Sequence, residues 1–122
     1  MAKTVNITLK WDNAKISSIT EKAKKGMIRM GFDIANQARR NAPYKTGALS
    51  NSIRVEENGD DIEIIAGGKY GGKDIRYAAI QEFGGDAGRN YSVHIIGKEY
   101  MKRAKEAIMT GDYLQKYMGD IL

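Results

Sequence analysis

Residues 67–74 read Gly-Gly-Lys-Tyr-Gly-Gly-Lys-Asp, which is the glycine and lysine spacing of a loop that binds nucleotide phosphates. Such a loop requires Ser or Thr at its last position because the hydroxyl group binds Mg²⁺, whereas Asp74 places a carboxylate there. No helix is predicted directly after the segment to direct its N-terminal amides at the phosphates. We therefore interpret residues 67–72 as a glycine-rich loop that is flexible alone and becomes ordered against a partner.

Three other side chains could act as acids, bases or metal ligands. Glu82 and Asp86 could form an acid and base pair, but the glycines around them would hold the two carboxylates poorly in place. His94 is the single histidine, and no serine or cysteine nucleophile motif accompanies it. The chain has no cysteine, which excludes disulfides, thiolate nucleophiles and cysteine-ligated zinc. The sequence predicts no catalytic residue, no cofactor and no metal site, so we expect a protein that is not an enzyme.

The composition is that of an ordinary globular protein. The chain has 122 residues, which fits a single domain over residues 1–122. Hydrophobic residues make up 42% of it and charged residues 29%. No apolar run approaches the roughly 20 residues that span a bilayer, and the N-terminus lacks the apolar stretch of a signal peptide. We expect synthesis in the cytoplasm and no membrane partner.

The N-terminal third predicts a strand and then a long helix. Apolar and polar residues alternate over residues 4–10, which is the period of a half-buried strand. From Asp12, a candidate N-cap, the period changes to three or four and predicts one helix over residues 13–41. Its apolar stripe consists of Ile16, Ile19, Ala23, Met27, Met30, Ile34 and Ala38. Pro43 ends this helix because proline disfavours helical backbone at the residue before it.

The other face of the predicted helix is basic. It carries Lys15, Lys22, Lys24, Lys25, Arg29, Arg39 and Arg40, against Glu21 and Asp33. A solvated face explains this pattern, since lysine favours exposed helix positions whatever the partner. The alternative is contact with DNA or with an acidic neighbouring subunit, which the net charge of +5 also fits. The candidate DNA-facing residues are Lys22, Lys25, Arg29, Arg39 and Arg40.

Asn58-Gly59 lies between two alternating runs and predicts a β-hairpin. A two-residue turn at Asn58-Gly59 pairs Val55 with Ile62 and places the apolar side chains of both strands on one face. The same register sets Glu56 opposite Asp61, an unfavourable pair of like charges that an oppositely charged neighbour would relieve.

The C-terminal half predicts shorter elements. Residues 75–83 favour a strand, although periodicity does not separate a strand from a helical turn here. Residues 84–89 predict a mobile loop, and residues 93–96 predict a short strand. A second helix begins at residue 98, shown by Met101, Ala104 and Ile108, and ends or bends at Thr110-Gly111; Leu114, Met118 and Ile121 then continue an apolar stripe on a short tail. The expected class is α+β, with a long N-terminal helix and a C-terminal helix packed on a small antiparallel sheet.

Residues 42–53 form a corner between the long helix and the hairpin. Pro43 ends the helix, and Thr46 can cap a short turn with its hydroxyl group. Gly47 permits close approach of the backbone, and Leu49 anchors the turn to the core. Ser52 then leads into the strand. We expect substitutions at Thr46 or Gly47 to impair folding or assembly rather than a chemical step.

The order of these motifs resembles the siphophage tail-component family typified by gene product ten of phage HK97. Residues 42–53 match the family pattern A-P-x-x-T-G-x-L-x-x-S-I, and residues 77–84 match Y-A-x-x-x-E-F-G. A looser match covers residues 100–104, although the proline that family members carry before their closing helix is missing here. The motif residues that the resemblance marks as structural or interface candidates are Pro43, Thr46, Gly47, Leu49, Ser52, Tyr77, Glu82, Phe83 and Gly84.

The resemblance implies a structural virion assembly protein at the phage tail or the head-tail junction, acting in tail completion or as a connector. It implies a ring of identical subunits that contacts other tail or connector proteins, located in the virion after synthesis in the host cytoplasm. Sheet edges or the glycine loops 67–72 and 84–88 would order against neighbours, and the basic faces would line a lumen for DNA. The alternative is a small basic module that binds nucleic acid without sequence specificity.

Overall fold

The computed structural model describes residues 4–10, 21–43, 47–59, 61–75, 78–87 and 93–119. Its elements, in chain order, are β1 (Thr4–Leu9), α1 (Glu21–Asn41), α2 (Ala48–Ser52), β2 (Arg54–Asn58), β3 (Asp61–Tyr70), β4 (Lys73–Ile75), α3 (Ala78–Phe83), β5 (Gly85–Ala87), β6 (Val93–Ile95), α4 (Tyr100–Ile108) and α5 (Tyr113–Met118). The predicted α+β class is confirmed, with the long helix and the C-terminal helices beside an antiparallel sheet.

The main sheet has β3 at its centre. β1 and β2 pair with β3 on either side in antiparallel orientation, and β4 pairs with the far end of β3. Side chains alternate between the two faces of the sheet, and the apolar face packs against α1. Its buried members include Val5, Leu9, Ile62, Ile64 and Ala66.

Helix α1 buries the stripe that the sequence predicts. Ala23, Met27, Met30, Ile34 and Ala38 are all buried. The helix ends at Asn41, two residues before Pro43, so the predicted stop is confirmed. Residues 13–20 of the predicted helix, and Asp12 before it, lie outside the described residues.

The predicted hairpin is present, but its register is shifted by two residues. Val55 lies opposite Ile64, and Asn58 lies opposite Asp61, so the turn begins at Gly59 rather than at Asn58. Gly59 adopts a left-handed φ of 63° at the first position of the turn, where a tight hairpin favours glycine. The predicted pairing of Val55 with Ile62 is therefore wrong. A shift by an even number of residues keeps each side chain on its predicted face.

The shifted register changes which like charges meet across the hairpin. Glu56 lies opposite Glu63 rather than opposite Asp61. Arg54 relieves this pair, with its Nε atom 3.4 Å from a carboxylate oxygen of Glu56. The Nδ2 atom of Asn58 donates a hydrogen bond of 3.0 Å to Glu63.

Two predictions for the C-terminal half are wrong. Residues 78–83 form helix α3 rather than a strand, because contacts with β1, β3 and α4 decide a segment too short for periodicity to classify. Residues 85–87, predicted as a mobile loop, form β5 and pair with β6. The strand predicted over residues 93–96 is confirmed as β6. We call β5 and β6 together the ribbon.

The second predicted helix is confirmed as α4, and the tail after it forms α5. The chain bends at residues 109–112, where Gly111 has a φ of 58°. The tail packs through Tyr117, which is buried, whereas Leu114 is 46% exposed. Of the predicted tail stripe, Ile121 and the side chain of Met118 lie outside the description. None of the described helices is long and apolar enough to cross a membrane.

Candidate functional site

The first family motif builds the corner between α1 and β2. Gly47 adopts a left-handed φ of 79° immediately before α2, a conformation that glycine enters without strain. Leu49, Ser52 and Ile53 are buried beneath it. Pro43 lies at the end of α1, and Thr46 lies outside the described residues. The described residues of the motif therefore shape the turn between α1 and β2 and pack it on the core.

Ser52 ties this corner to the central strand. Its hydroxyl group donates a hydrogen bond of 2.6 Å to the carbonyl oxygen of Leu49 and accepts one of 2.9 Å from the backbone N–H of Gly67. Gly67 is the last residue of β3 that pairs with β1, and the next residue pairs with β4. The hydroxyl group thus holds the corner at the point where β3 changes partner.

Replacing Ser52 with alanine should lower the free energy of unfolding by about 2 kcal/mol, because the buried N–H of Gly67 loses its acceptor. Urea denaturation at neutral pH measures the effect. Ser50→Ala is the matched control, since the Ser50 hydroxyl group makes only a long contact of 3.4 Å, to the carbonyl oxygen of Arg39. Equal effects at both positions would contradict the role of Ser52.

Two arginines close the corner from either side. The Nε and Nη2 atoms of Arg39 donate to the carbonyl oxygen of Ile53 at 3.2 and 2.6 Å. The Nη1 atom of Arg54 donates to the carbonyl oxygens of Ser52 and Gly67 at 2.7 and 3.1 Å. The planar, multiply donating guanidinium group suits such convergent carbonyls. Sequence reasoning missed both roles, because the acceptors are backbone atoms that only the fold brings near.

The second family motif joins α3 to α4 through a buried carboxylate. Glu82 is 3% exposed. Its Oε1 atom accepts a hydrogen bond of 2.7 Å from the backbone N–H of Met101, and its Oε2 atom accepts one of 3.1 Å from the backbone N–H of Lys102. These N–H groups belong to the first turn of α4, where helical backbone has no acceptor of its own and a negative charge is stabilised. Glu82 therefore caps α4 from a distant part of the chain.

The backbones of the same two helices also meet directly. The N–H groups of Lys98 and Glu99 donate to the carbonyl oxygens of Gln81 and Glu82 at 2.7 and 3.0 Å. The hydroxyl group of Tyr100 donates to the carbonyl oxygen of Ala78 at 2.8 Å. The bonds from Lys98 and Glu99 satisfy carbonyl groups at the end of α3 that the helix leaves free, and the bond from Tyr100 reaches the first residue of α3. We call this region the α3–α4 junction.

Two glycines shape the α3–α4 junction. Gly84 ends α3 with a left-handed φ of 78°, and its N–H donates to the carbonyl oxygen of Ile80. Gly97 lies so close to α3 that a Cβ atom there would be 2.7 Å from the carbonyl oxygen of Glu82. Sequence reasoning identified Gly84 but missed Gly97, for which no local signal exists.

Helix α5 is fastened to α1 by a polar cluster. The hydroxyl group of Tyr117 donates to Asp33 at 2.6 Å, and the Nη2 atom of Arg29 donates to the carbonyl oxygens of Lys116 and Tyr117 at 3.2 and 3.3 Å. Burial raises the pKa of Tyr117 to about 12, and the hydrogen bond to Asp33 and its negative charge add to the rise, whereas Arg29 opposes it.

The raised pKa of Tyr117 predicts a loss of stability at high pH. The stabilisation from the neutral phenol is present below its ordinary pKa of 10 and is lost as the pH rises through about 12. Tyr117→Phe should cost about 1 to 2 kcal/mol at neutral pH, because the bond to Asp33 is removed. It should also weaken the alkaline loss, measured by urea denaturation at about pH 8 and pH 11. An unchanged pH dependence in Tyr117→Phe, with Tyr113→Phe as the control, would contradict this assignment.

The structure separates the residues considered for chemistry. Residues 67–70 lie in β3, and Gly71 and Gly72 form a turn to β4, so the predicted glycine-rich loop is part of a hairpin and a strand follows where a phosphate-binding loop needs a helix. The carboxylate of Glu82 accepts hydrogen bonds from the first turn of α4. The side chains of Asp86 and His94 are not among those that the structure describes. Within the described ranges, no group of His, Asp and Glu could hold a metal ion.

The remaining predicted residues lie at the surface or outside the description. Phe83 is 71% exposed at the end of α3, and Ile96, which directly follows β6, is 74% exposed. Tyr77 lies outside the described residues. Of the candidate DNA-facing residues, Lys22, Lys25 and Arg40 are exposed, and Arg29 and Arg39 make the internal hydrogen bonds given above. Contact with DNA stays a prediction.

Comparison with known proteins gives one family. Residues 10–84, more than half of the chain, match the family model described as "Bacteriophage HK97-gp10, putative tail-component". This range contains both motifs of the sequence resemblance, and the looser match at residues 100–104 lies beyond it. No curated protein and no solved structure matched the chain. The chain belongs to the bacteriophage HK97-gp10 family of phage tail components.

Proposed function

We propose that the protein is a single domain that completes the phage tail or connects it to the head, and that it acts as a ring of identical subunits. As a member of a tail-component family, it is associated with the virion and its partners are other phage structural proteins. Tail completion, the connector role and the ring are the parts that we add.

The observation that supports this proposal is that the polar residues of the two family motifs hold the fold together. Ser52 and Glu82 are both buried, and each is engaged in hydrogen bonds with backbone atoms. Ser52 fixes the corner after α1 to the central strand β3, and Glu82 fixes α3 to α4. A motif that holds elements together in this way serves a rigid building block, which is what a repeated subunit of an assembly requires.

The exposed apolar pair at the base of the ribbon supports contact with another virion protein. Phe83 and Ile96 are the two most exposed large hydrophobic residues among those described. Phe83 lies two residues before β5, and Ile96 directly follows β6, so both lie at the end of the ribbon where Gly85 pairs with Ile95. Two-stranded ribbons are marginally stable alone in water, and a neighbouring protein that covers the pair would stabilise this one.

The mass of the purified protein in solution tests the ring. Sedimentation velocity over about 1 to 100 μM should give one discrete mass, a whole multiple of the chain mass, that persists on dilution. A monomer at every concentration would contradict a self-closing ring.

The exposed pair Phe83 and Ile96 is tested by replacing both residues with serine. This double substitution should reduce the fraction of phage particles that are completely assembled. The matched control Leu114→Ser, at another exposed apolar residue, should leave that fraction unchanged.

The alternative function is non-specific binding of nucleic acid. The exposed side chains of Lys22, Lys25 and Arg40 on one helix favour it. A monomer that binds duplex DNA tightly, with affinity falling steeply between about 50 and 200 mM salt, would replace the ring proposal. We expect the discrete oligomer instead.

A further inference from the structure

Helix α1 presents a basic stripe on the side that faces away from the sheet. Its members recur every three or four residues, so they lie in one row along the helix. All of them are exposed, and none is acidic. The basic stripe consists of Lys22, Lys25, Arg29, Phe32, Asn36 and Arg40.

The centre of the basic stripe has features of a contact surface. Phe32 is 50% exposed, with cations on both sides of it along the helix. Arg29, its neighbour one turn away, is held by the carbonyl oxygens of Lys116 and Tyr117 and lies 5.4 Å from the centre of the Tyr117 ring. A guanidinium group fixed in this way loses little side-chain entropy when a partner binds.

The opposite side of the domain carries a complementary surface. On the sheet face that points away from α1, the hairpin presents Glu56, Asp61 and Glu63, which we call the acidic hairpin face. Glu56 and Glu63 lie directly opposite each other, an arrangement that costs free energy unless a cation is near. Arg54 is the one basic residue of β2 and β3 on this part of the face, and its Nη1 atom already donates to two backbone carbonyl oxygens.

The basic stripe and the acidic hairpin face cannot meet within one molecule. One lies on the outer side of the helix layer, and the other lies on the outer side of the sheet layer. Contact between them joins two copies head to tail, using a different surface on each copy, and such heterologous contacts generate rings when the rotation between copies closes.

We propose that the basic stripe of one copy docks on the acidic hairpin face of the next copy. The proposal rests on the ring of the preceding subsection and names the surfaces that build it. A second copy is favoured over nucleic acid because the chain itself supplies an acidic surface, on which Arg54 pairs with Glu56 while Asp61 and Glu63 add two further carboxylates. The stripe also spreads its four cations over about 27 Å of helix, sparsely compared with one phosphate per roughly 1.7 Å of duplex.

Charge reversal tests the two surfaces separately and together. The variants are K22E/K25E in the basic stripe and E56K/E63K in the acidic hairpin face, and the matched control is K98E/K105E, two exposed lysines outside the stripe. Each stripe or hairpin variant should lose at least about tenfold in association constant, because like charges then face each other. Circular dichroism and thermal melting verify that every variant is folded.

The mixture of the two variants gives the decisive measurement. In an equimolar mixture, the reversed hairpin face of one variant meets the reversed stripe of the other, and the unreversed surfaces also match. The mixture should therefore recover association to within about twofold of the wild type, with the two variants alternating, and it should close into the wild-type oligomer where the number of copies is even. Unfolded protein would not assemble in the mixture. Recovery therefore also shows that neither variant lost assembly by misfolding.

The other outcomes overturn the proposal in distinguishable ways. If the wild type forms the ring and both reversed variants still form it, the ring stands and the docking surfaces are wrong. If the wild type is a monomer throughout, the ring and the docking surfaces both fail. If K22E/K25E keeps the ring but loses affinity for a fluorescent DNA duplex, the basic stripe belongs to nucleic acid.

Discussion

Replacing Glu82 with alanine should lower the free energy of unfolding by about 4 kcal/mol, the largest effect we expect from a single side chain. The substitution removes the acceptor of the buried N–H group of Met101 and of the part-buried N–H group of Lys102, and hydrogen bonds to a charged group are about twice as strong as neutral ones. It also removes a negative charge from the N-terminus of α4. Chemical denaturation monitored by circular dichroism measures the loss.

Glu82→Gln separates the capping role from simple packing. Glutamine has nearly the same shape but keeps one acceptor oxygen, so one of the two N–H groups stays bonded and the loss should be about half as large. Hydrogen exchange should show the amides of residues 101 and 102 both exchanging faster in Glu82→Ala, and only the amide that lost its acceptor exchanging faster in Glu82→Gln. Wild-type protection of these amides in Glu82→Ala would show that the carboxylate does not cap α4.

Gly97→Ala should destabilise the protein by about 3 kcal/mol or more, because the added methyl group would enter space occupied by backbone. The new Cβ atom would lie 2.7 Å from both the carbonyl oxygen of Glu82 and the carbonyl carbon of Phe83, and 2.9 Å from the nitrogen of Gly84. Backbone atoms cannot turn aside as a flexible side chain can. The φ of Gly97 lies outside the left-handed region, so the cost comes from the contact and not from conformational strain.

Gly71→Ala is the matched control for this prediction. Gly71 has a φ of 60° and open space around its Cβ position, so alanine there should cost only the strain of a left-handed residue, about 1 to 2 kcal/mol. Thermal melting of the two variants under identical conditions compares the effects. If Gly97→Ala melts at or above the temperature of Gly71→Ala, the close approach of the α3–α4 junction is not as tight as described.

The sequence predicts structure well where the same apolar period repeats over a long segment. Twenty-one residues of α1 repeat the same apolar period, and Pro43 marks the end, so helix and buried stripe followed directly. The hairpin at residues 54–70 was predictable as an element, yet its register was not. Asn58-Gly59 and Gly59-Asp60 are adjacent candidates for a two-residue turn, and only the cross-strand pairing decides between them.

The sequence was least informative where contacts between distant residues decide. Residues 78–83 make too short a run to distinguish helix from strand, and packing against β1, β3 and α4 settled the choice. Glu82 is predicted from the sequence to be structural or interfacial, but its role as a cap depends on residues 19 and 20 positions further on. Arg39 was considered as a DNA contact from its charge alone, and its actual acceptor, Ile53, became visible only with the corner folded.

At the α3–α4 junction, the two ends of the segment between Gly84 and Gly97 lie next to each other. The ribbon begins after Gly84 and ends before Gly97, where the two backbones lie in contact, and the N–H of Lys98 is already bonded to the end of α3. Because both ends of the ribbon meet at one place, we expect that its length and sequence can change without moving either helix. Evolution could thus fit one unchanged body to different virion partners by grafting new loops at a single point, and a protein engineer could insert a foreign peptide there.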